Sequence, residues 1–501
     1  METQKHFPIA IIGAGFAGIG AAIQLLKAGI DSFTIFERAS EVGGTWRDNT
    51  YPGAACDVPS HVYSLSFEQN PSWSQRYATS WEIQQYLIGV ADKWKLRDKM
   101  RLNTEIVEAR FDEASGTWTL TTTGGDTFKA RAVMAGVGGL VDPQYPDIPG
   151  LGDFRGDMFH TARWNHDVDL TDKRVSVIGT GASAVQVVPS IAPIVALLTV
   201  FQRTPGWVVA KFDRYYPAWL RKLLARFPLL LRVSRFLKYW LSELRGPIVF
   251  INSKILSKIG VALSMWNLRR QVKDPALRKR LTPNFQFGCK RVLVSDDYWA
   301  TFERENVELV TDPIERIEPM GVRTKDGTLH EADAIVLATG FKLGLVAAPF
   351  RIIGRGGRTL DEAWKHGAMA YKGMTVAGFP NWFIMMGPNT GPGHTSVLVY
   401  TEAQISHALQ AIQKLITEDL KYVDVRQEVM DRYNEGIQKR MKRMVWSGCK
   451  SWYLSEDGVN RSLYPGFATE YVLRARNFHS SDYEAVGQVS EPGVSRDFAP
   501  S

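Results

Sequence analysis

Cysteine is scarce in this chain, and so are the signals of secretion or membrane insertion. The three cysteines, Cys56, Cys289 and Cys449, lie far apart and form no C-x-x-C pair. This spacing argues against a disulfide framework and against a structural zinc or other metal site, and it favours a reducing, cytoplasmic compartment. We expect no transmembrane helix. A strand-like apolar run already begins at Ile9, which leaves no room for a signal peptide before it.

Length and composition are ordinary for a globular protein of two or three domains. Of the 501 residues, 45% are hydrophobic and 22% are charged. The net charge of +8 is uneven, because much of it lies between Arg214 and Arg280. No recognised nucleic-acid-binding module appears, and the basic residues sit beside large apolar ones, so we expect no nucleic-acid partner.

The first fifty-odd residues carry the pattern of a dinucleotide-binding module. An apolar run at 9–12 leads into G-x-G-x-x-G at 13–18, a helical pattern follows to residue 28, and a second apolar run at 33–36 ends on an acid. The glycines allow a tight turn, approach of a pyrophosphate to the backbone, and close packing of helix on strand. The acid can accept a hydrogen bond from a free ribose 2′-hydroxyl, which predicts FAD. The predicted contacts are Gly13, Gly15, Phe16, Gly18 and Glu37.

A second copy of this pattern begins at Arg174. A strand at 174–178 precedes the glycine turn 179–184, a helix to Ile191 and another strand at 198–201. That strand ends in Gln202-Arg203-Thr204 rather than in an acid, and arginine suits a 2′-phosphate, so this module predicts NADPH. The predicted contacts are Gly179, Thr180, Gly181, Ala182, Ser183, Gln186, Arg203 and Thr204.

Residues 217–285 interrupt the alternation of strands and helices. Large apolar residues such as Trp219, Leu230 and Phe236 alternate there with arginine and lysine, which predicts a basic, amphipathic helical insert. Two interpretations that do not exclude each other stay open. The apolar faces pack inward as a helical subdomain, or they form a surface that lies on an anionic membrane or admits a lipophilic substrate.

These patterns together predict an α/β fold with two Rossmann-like dinucleotide-binding domains and a helical insert. We expect a discontinuous FAD-binding domain at 1–145 and 371–501. The NADPH-binding domain would comprise 146–210 and 286–370, and the helical insert would occupy 211–285. The insert is the place where we expect any peripheral membrane contact.

With these motifs placed, the chain resembles the class B flavoprotein monooxygenases, and among them the Baeyer–Villiger monooxygenases. The most specific match lies between the two glycine turns, where Phe154-x-Gly156-x-x-x-His160-x-x-x-Trp164 resembles the family fingerprint F-x-G-x-x-x-H-x-x-x-W. Trp164 favours the Baeyer–Villiger branch, although Asn165 follows it where the family has Pro or Asp. In this resemblance His160 and Trp164 lie in a linker and position the NADPH domain.

The resemblance also assigns cofactor contacts and catalytic residues. Lys290 would support the 2′-phosphate, Arg291 would project over the flavin, Asp57 would face the reacting ring, and Trp452 would cover the nicotinamide from a mobile loop. The further flavin-side positions are Thr45, Trp46, Arg47, Asp48, Tyr63 and Ile106.

The family implies an NADPH- and O2-dependent reaction in which a C4a-peroxyflavin attacks a ketone and gives an ester or lactone. Arg291, which stays protonated, would stabilise the peroxide anion, and Asp57 would hold Arg291 in place. The runner-up is a flavin monooxygenase that oxidises nitrogen or sulfur. A two-nucleotide disulfide reductase is disfavoured by the lack of C-x-x-C. A non-catalytic flavin- or nucleotide-binding redox sensor is the alternative from another class.

Overall fold

The structure, a computed structural model, describes residues 7–342, 349–449, 451, 453–455 and 457–487. Its strands are β1 Ile9–Ile12, β2 Phe33–Phe36, β3 Met100–Arg101, β4 Ile106–Asp112, β5 Thr117–Thr122, β6 Thr127–Ala130, β7 Ala132–Ala135, β8 Asp157–His160, β9 Arg174–Ile178, β10 Leu197–Phe201, β11 Val208–Val209, β12 Leu293–Val294, β13 Val307–Val310, β14 Ile314–Glu318, β15 Gly321–Thr324, β16 Leu329–Glu331, β17 Ala334–Leu337, β18 Arg351–Ile353, β19 Trp382–Ile384, β20 Leu420–Val425 and β21 Tyr483–Gly487.

The α-helices are α1 Phe16–Lys27, α2 Thr45–Asp48, α3 Ser80–Lys93, α4 Ala184–Ile191, α5 Ala218–Arg226, α6 Pro228–Phe250, α7 Lys254–Gln271, α8 Pro275–Leu281, α9 Tyr298–Thr301, α10 Leu360–Ala363, α11 Val397–Thr417, α12 Gln427–Met441 and α13 Ala468–Ala475. In the middle of the chain four α-helices, α5 to α8, follow one another without an intervening strand.

The first dinucleotide module forms a parallel sheet with the order β19-β7-β1-β2-β3. Ile9 lies opposite Phe33 on one side and Ala132 on the other, and all four residues of β1 are buried. Helix α1 packs on this sheet, and the long helix α11 packs on α1. Both faces of the sheet are covered, which explains why its strands are short apolar runs without alternation.

The second module repeats this arrangement in a parallel sheet with the order β13-β10-β9-β17-β8. Residues 175–202 carry no charged side chain, yet they divide into β9, a glycine turn, α4 and β10 rather than one long helix. None of the helices in the described part of the chain is both long and apolar enough to cross a membrane. The α/β fold with two dinucleotide modules is therefore as predicted.

Two details differ from the predicted organisation. β8, which ends at His160, is an edge strand of the second sheet paired with β17, so His160 lies in that sheet and not in a linker. β18 pairs with β4 in a four-stranded sheet beside the first module, so the chain returns to that module by Arg351 rather than at 371. The sequence contains no motif that marks a single short strand joining the sheet of an earlier domain.

The cysteine spacing was misleading as well, because Cys289 and Cys449 form a disulfide at a sequence separation of 160. Their Cα atoms are 6.1 Å apart, a usual separation for such a bond. The spacing argued against a disulfide framework, and it gave no indication of this single bond. Cys56 is free and buried, and burial raises the pKa of its thiol.

Helices α5, α6 and α7 form the insert, with α5 packed on α6 and α6 on α7. Of the two interpretations of the insert, packing of all the apolar faces inward does not describe it. Trp219, Leu244 and Ile255 keep 67%, 74% and 73% of their surface exposed. The buried side of α6 instead carries Glu243, which is almost fully enclosed.

Candidate active site

The first glycine turn has the geometry that a pyrophosphate needs. Gly13 has φ +96°, and its N–H donates to the Phe36 carbonyl at 2.7 Å. A Cβ at Gly18 would overlap the Gly13 carbonyl oxygen, so only glycine allows α1 to approach β1 there. A Cβ at Gly15 would meet only the Cα of Gly44, at 3.9 Å, which leaves an open cradle at the N-terminus of α1.

Glu37 closes this cradle at the end of β2. Its carboxylate accepts hydrogen bonds from the backbone N–H groups of Ala14 and Ala39, at 2.9 and 3.0 Å, and from Arg47 Nη1 at 2.9 Å. Arg47 also pairs with Asp48 at 2.8 Å. The predicted flavin-side residues Arg47 and Asp48 are thus brought to the predicted ribose-binding acid.

The segment 43–57 connects the two glycine turns. It begins at Gly44, beside Gly15, and forms the short helix α2. The Nε1–H of Trp46 in α2 donates to Tyr63 Oη at 3.0 Å, and the ring of Tyr63 meets Phe16 edge to face. Burial raises the pKa of Tyr63, so its hydroxyl stays protonated. Thr45, Trp46 and Tyr63 therefore form one wall beside the first turn.

The same segment then contacts the second module through Gln186 of α4. The Gln186 amide donates to the Ala55 carbonyl at 2.9 Å, and its oxygen accepts from the Tyr51 hydroxyl at 2.9 Å. A Cβ at Gly53 would lie 2.6 Å from the Gln186 carbonyl oxygen, so the loop packs directly on α4. The side chain predicted as a cofactor contact in the second module thus joins the two modules.

The second glycine turn reproduces the first. Gly179 has φ +116°, and a Cβ there would overlap the Ala338 carbonyl oxygen. A Cβ at Gly181 would meet no atom within 4 Å, so the space before α4 is open. The Thr180 hydroxyl donates to the Thr204 carbonyl at 3.0 Å, which ties the turn to the end of β10. Ala182 and Ser183 lead from the turn into α4.

Arg203 and Lys290 lie near each other beside this turn, and their charges repel. Burial lowers the pKa of Lys290, and the positive charge of Arg203 lowers it further. The Lys290 ammonium rests 4.8 Å from the centre of the Phe285 ring. Neither cation forms an ion pair with a carboxylate of the described residues. Two adjacent cations without a counter-charge form a site for an anion.

Asp57 and Arg291 meet where the connecting segment ends. The Arg291 guanidinium donates to the Asp57 carboxylate in a short ion pair. Burial would raise the pKa of Asp57, but the charge and hydrogen bond of Arg291 hold it below its usual value. The charge of Asp57 raises the pKa of Arg291 in turn. The two side chains remain 28% and 36% exposed, so the pair borders an open space rather than the core.

Tyr453 is a further neighbour of Arg291 that the sequence did not single out. Burial raises the pKa of Tyr453 to about 12, and the positive charge of Arg291 opposes that rise. Tyr453 belongs to a small apolar cluster with Phe250, Cys289 and Trp446, so the insert and the disulfide both touch the segment that carries Arg291. Trp452, the predicted nicotinamide cover, lies outside the described residues.

The remaining predicted positions are structural in their contacts. His160 is fully buried, its Nδ1 accepts from the Ala162 N–H at 3.0 Å, and burial lowers its pKa to about 4, so it is neutral near pH 7. Trp164 packs edge to face on Phe159. Ile106 opens β4 and is buried in the main core.

Comparison with known proteins identifies the family. The model of the flavin-binding monooxygenase-like family matches residues 6–350. A Baeyer–Villiger monooxygenase of Pseudomonas aeruginosa is 44% identical over 96% of this chain and 91% of its own length. A Baeyer–Villiger monooxygenase of Streptomyces coelicolor is 41% identical over 97% and 94%.

Solved structures agree with the sequence relatives. A steroid monooxygenase bound to NADP is 32% identical, with a TM-score of 0.85 over 96% of this chain and 99% of its own. A cyclohexanone monooxygenase of Rhodococcus sp. Phi1 bound to NADP+ is 27% identical, with a TM-score of 0.85 over 96% and 100%. Both the predicted fold and the predicted enzyme class are thereby confirmed. The chain belongs to the flavin-binding monooxygenase-like family, and within it to the Baeyer–Villiger monooxygenases.

Proposed function

We propose that this monooxygenase binds FAD at the first glycine turn and NADPH at the second, and that it inserts one oxygen atom of O2 next to the carbonyl group of a ketone. The product is an ester or a lactone. The observation that carries the proposal is the Asp57–Arg291 ion pair, which borders open space at the end of the segment joining the two turns.

The residues at the first turn fit FAD. The open cradle at Gly15 lies before the N-terminus of α1, whose free N–H groups suit a pyrophosphate. Glu37 is held by Ala14, Ala39 and Arg47 and retains lone pairs that can accept from a ribose hydroxyl. Domain 1–145 with the C-terminal part of the chain is the proposed FAD domain.

The residues at the second turn fit NADPH rather than NADH. The open space at Gly181 can take the pyrophosphate. Arg203 and Lys290 provide two cations for the 2′-phosphate, which NADH lacks. His160 and Trp164 shape the edge of the second sheet, and we assign them a positioning role for this module.

When both cofactors are bound, they supply hydride transfer and the activation of O2. The protein supplies the positive charge that such chemistry needs. Arg291 cannot lose its proton near neutral pH, so it presents a permanent cation to the negative charge that develops during oxygen transfer. Asp57 fixes the guanidinium by accepting its hydrogen bond.

The test is Arg291→Ala, with Arg316→Ala as a matched control. Arg316 is an exposed arginine of the second module that pairs with Asp153 at 3.4 Å, far from the turns in sequence. We expect Arg291→Ala to retain bound flavin and its reduction by NADPH but to lose ester formation by at least about a hundredfold. The control should form ester at the parent rate.

Ester formation, flavin reduction and hydrogen peroxide should be followed together with a ketone panel and a thioether. Normal ester yield from Arg291→Ala would remove Arg291 from the mechanism. A parent enzyme that oxidises the thioether but no linear, cyclic or steroidal ketone would replace the proposed reaction with sulfur oxidation.

A further inference from the structure

The exposed apolar side chains of the protein are concentrated on the insert. More than half of the exposed large apolar side chains among the described residues lie between Trp219 and Trp266. On α6 the exposed residues Leu229, Val233, Phe236, Trp240 and Leu244 follow at intervals of three or four, so they line one side of the helix. Ordinary monomers seldom leave so large an apolar patch uncovered.

Two charged side chains of α6, Arg235 and Glu243, face the protein instead of the solvent. Arg235 donates to the backbone carbonyls of His61, Val62 and Ser64, at 2.9 to 3.0 Å. Glu243 accepts from His394 Nε2 at 2.8 Å and from the Thr469 N–H at 3.1 Å, which caps helix α13. In a helix that stabilises a core the apolar side is buried, whereas α6 buries these charged side chains and exposes an apolar stripe.

Helix α7 repeats the inversion. Ile255, Ile259, Leu263 and Trp266 lie along its exposed side. Its buried side carries polar residues, among them Ser264, whose hydroxyl donates to the Val208 carbonyl at 2.9 Å, and Asn267, whose amide donates to the Ser295 carbonyl at 3.2 Å. Helices α6 and α7 pack on each other, so the insert exposes an apolar stripe on each of two packed helices.

The charges around this surface are of one sign. Residues 214–273, all of which the structure describes, contain thirteen arginines and lysines and a single acid, the buried Glu243. Arg232, Arg245, Lys254 and Lys258 are exposed beside the apolar stripes. Long basic side chains at the border of an apolar face match the arrangement in which the face enters the acyl chains and the cations meet anionic head groups.

We propose that the apolar stripes of α5, α6 and α7 dock on the surface of a bilayer that contains anionic phospholipid. The helices lie in the plane of the interface and do not cross it, in keeping with their length and hydropathy. A protein partner fits the surface less well, because it would need an apolar patch surrounded by acidic residues to match the cations around the apolar face. An anionic leaflet supplies both the apolar acyl chains and the negative charge. The inference does not depend on the oxygenation reaction.

The test is sedimentation of the full-length holoprotein with vesicles of phosphatidylcholine alone and of phosphatidylcholine mixed with phosphatidylglycerol. We expect binding to the mixed vesicles, weakened by salt. Leu237 is exposed on α6 beside the stripe, and Leu244 lies in it. Leu237→Glu with Leu244→Glu should reduce partitioning at least a hundredfold, because each methylene withdrawn from lipid weakens it by about fourfold. Lys254→Glu with Lys258→Glu should weaken it by about fivefold per cation removed.

Leu473→Glu is the matched control, since Leu473 is an exposed leucine of α13 outside the insert. Flavin content and turnover of a water-soluble ketone should be the same in every variant, which separates loss of binding from loss of folding. Equal binding by the Leu237/Leu244 variant, or no binding of the parent protein to either vesicle, would overturn the proposal. Self-association of the parent that the same variant abolishes, without vesicle binding, would instead make the surface a contact between copies of the chain.

Discussion

The preference for NADPH over NADH tests the second glycine turn most directly. Arg203→Ala removes one of the two cations that lie beside this turn without an ion-pair partner among the described residues. The 2′-phosphate is the only group that distinguishes the two nucleotides, so the substitution should weaken NADPH and leave NADH unchanged. The ratio of the two affinities is therefore a cleaner measure than either one alone.

The exposure of the two cations sets the expected magnitude. A hydrogen bond to a charged group contributes about 1.5–3 kcal/mol, which is roughly 10- to 150-fold in affinity. Arg203 is exposed and well screened, which places Arg203→Ala near the lower end, at about tenfold. Lys290 is partly buried beside Phe285, so Lys290→Ala should cost more, toward about a hundredfold.

The pH dependence of NADPH binding has a defined sign. The pKa of Lys290 is lowered by burial and by Arg203, so the ammonium loses its proton at a lower pH than an ordinary lysine. Affinity for NADPH is complete below that lowered pKa and falls as the pH rises through it, whereas affinity for NADH should stay flat. Arg203→Ala relieves the repulsion and should move the fall to higher pH.

The assay is the rate of flavin reduction without oxygen at varied NADPH and NADH. The control is Arg304→Ala, an arginine of the same module whose side chain donates to Asn306. Equal use of both nucleotides by the parent enzyme would refute the assignment of this turn. A parallel loss for both nucleotides in Arg203→Ala would show that the arginine supports the fold and does not read the phosphate.

Two further predictions concern stability and covalent structure. Glu243→Ala leaves buried His394 and the first N–H groups of α13 without an acceptor, so it should destabilise the protein by about 3–5 kcal/mol. Glu243→Gln keeps an acceptor and should destabilise the protein less. Thermal unfolding of both variants measures the two effects. The pKa of Glu243 is lowered by its partners, so the stability that its carboxylate contributes is present above the usual carboxylate pKa and is lost as the pH falls through the lowered pKa. A free energy of unfolding of the parent protein that stays constant across this acid range would contradict the prediction. Alkylation in denaturant should label one cysteine per chain, Cys56, and should label all three cysteines only after reduction. Three labelled thiols without reductant would disprove the Cys289–Cys449 bond.

Local patterns were sufficient for the elements that hold the cofactors. β1, α1 and β2 lie where the first glycine motif predicts them, and β9, α4 and β10 follow the second. Glycine-rich turns and apolar runs are dictated by neighbouring residues, because φ angles and strand burial are short-range constraints. The pairing of Asp57 with Arg291 was implied only by the family resemblance, since 234 positions separate the two residues.

Contacts between distant segments could not be predicted in this way. Gln186 lies on the helix after the second turn, where it is predicted to contact a cofactor, and its amide also holds the loop at Ala55, a contact that the sequence did not indicate. The Cys289–Cys449 bond and the Glu243–His394 pair likewise join segments more than a hundred positions apart. No local rule relates such residues, because the sheets and the insert must first bring them together.

The insert shows the limit of sequence periodicity most clearly. A stripe of apolar residues at helical spacing establishes that one side of α6 is apolar, but it does not establish which side faces the protein. That choice depends on where polar partners lie. Arg235 finds three backbone carbonyls in the segment 61–64, and Glu243 finds His394 and the start of α13. Turning the helix over would bury its leucines and phenylalanine but would leave these charges without partners, and an unpaired buried charge costs more than an exposed apolar side chain. The inverted orientation therefore follows from the polar contacts, and the apolar surface that it leaves outside is what an anionic bilayer would cover.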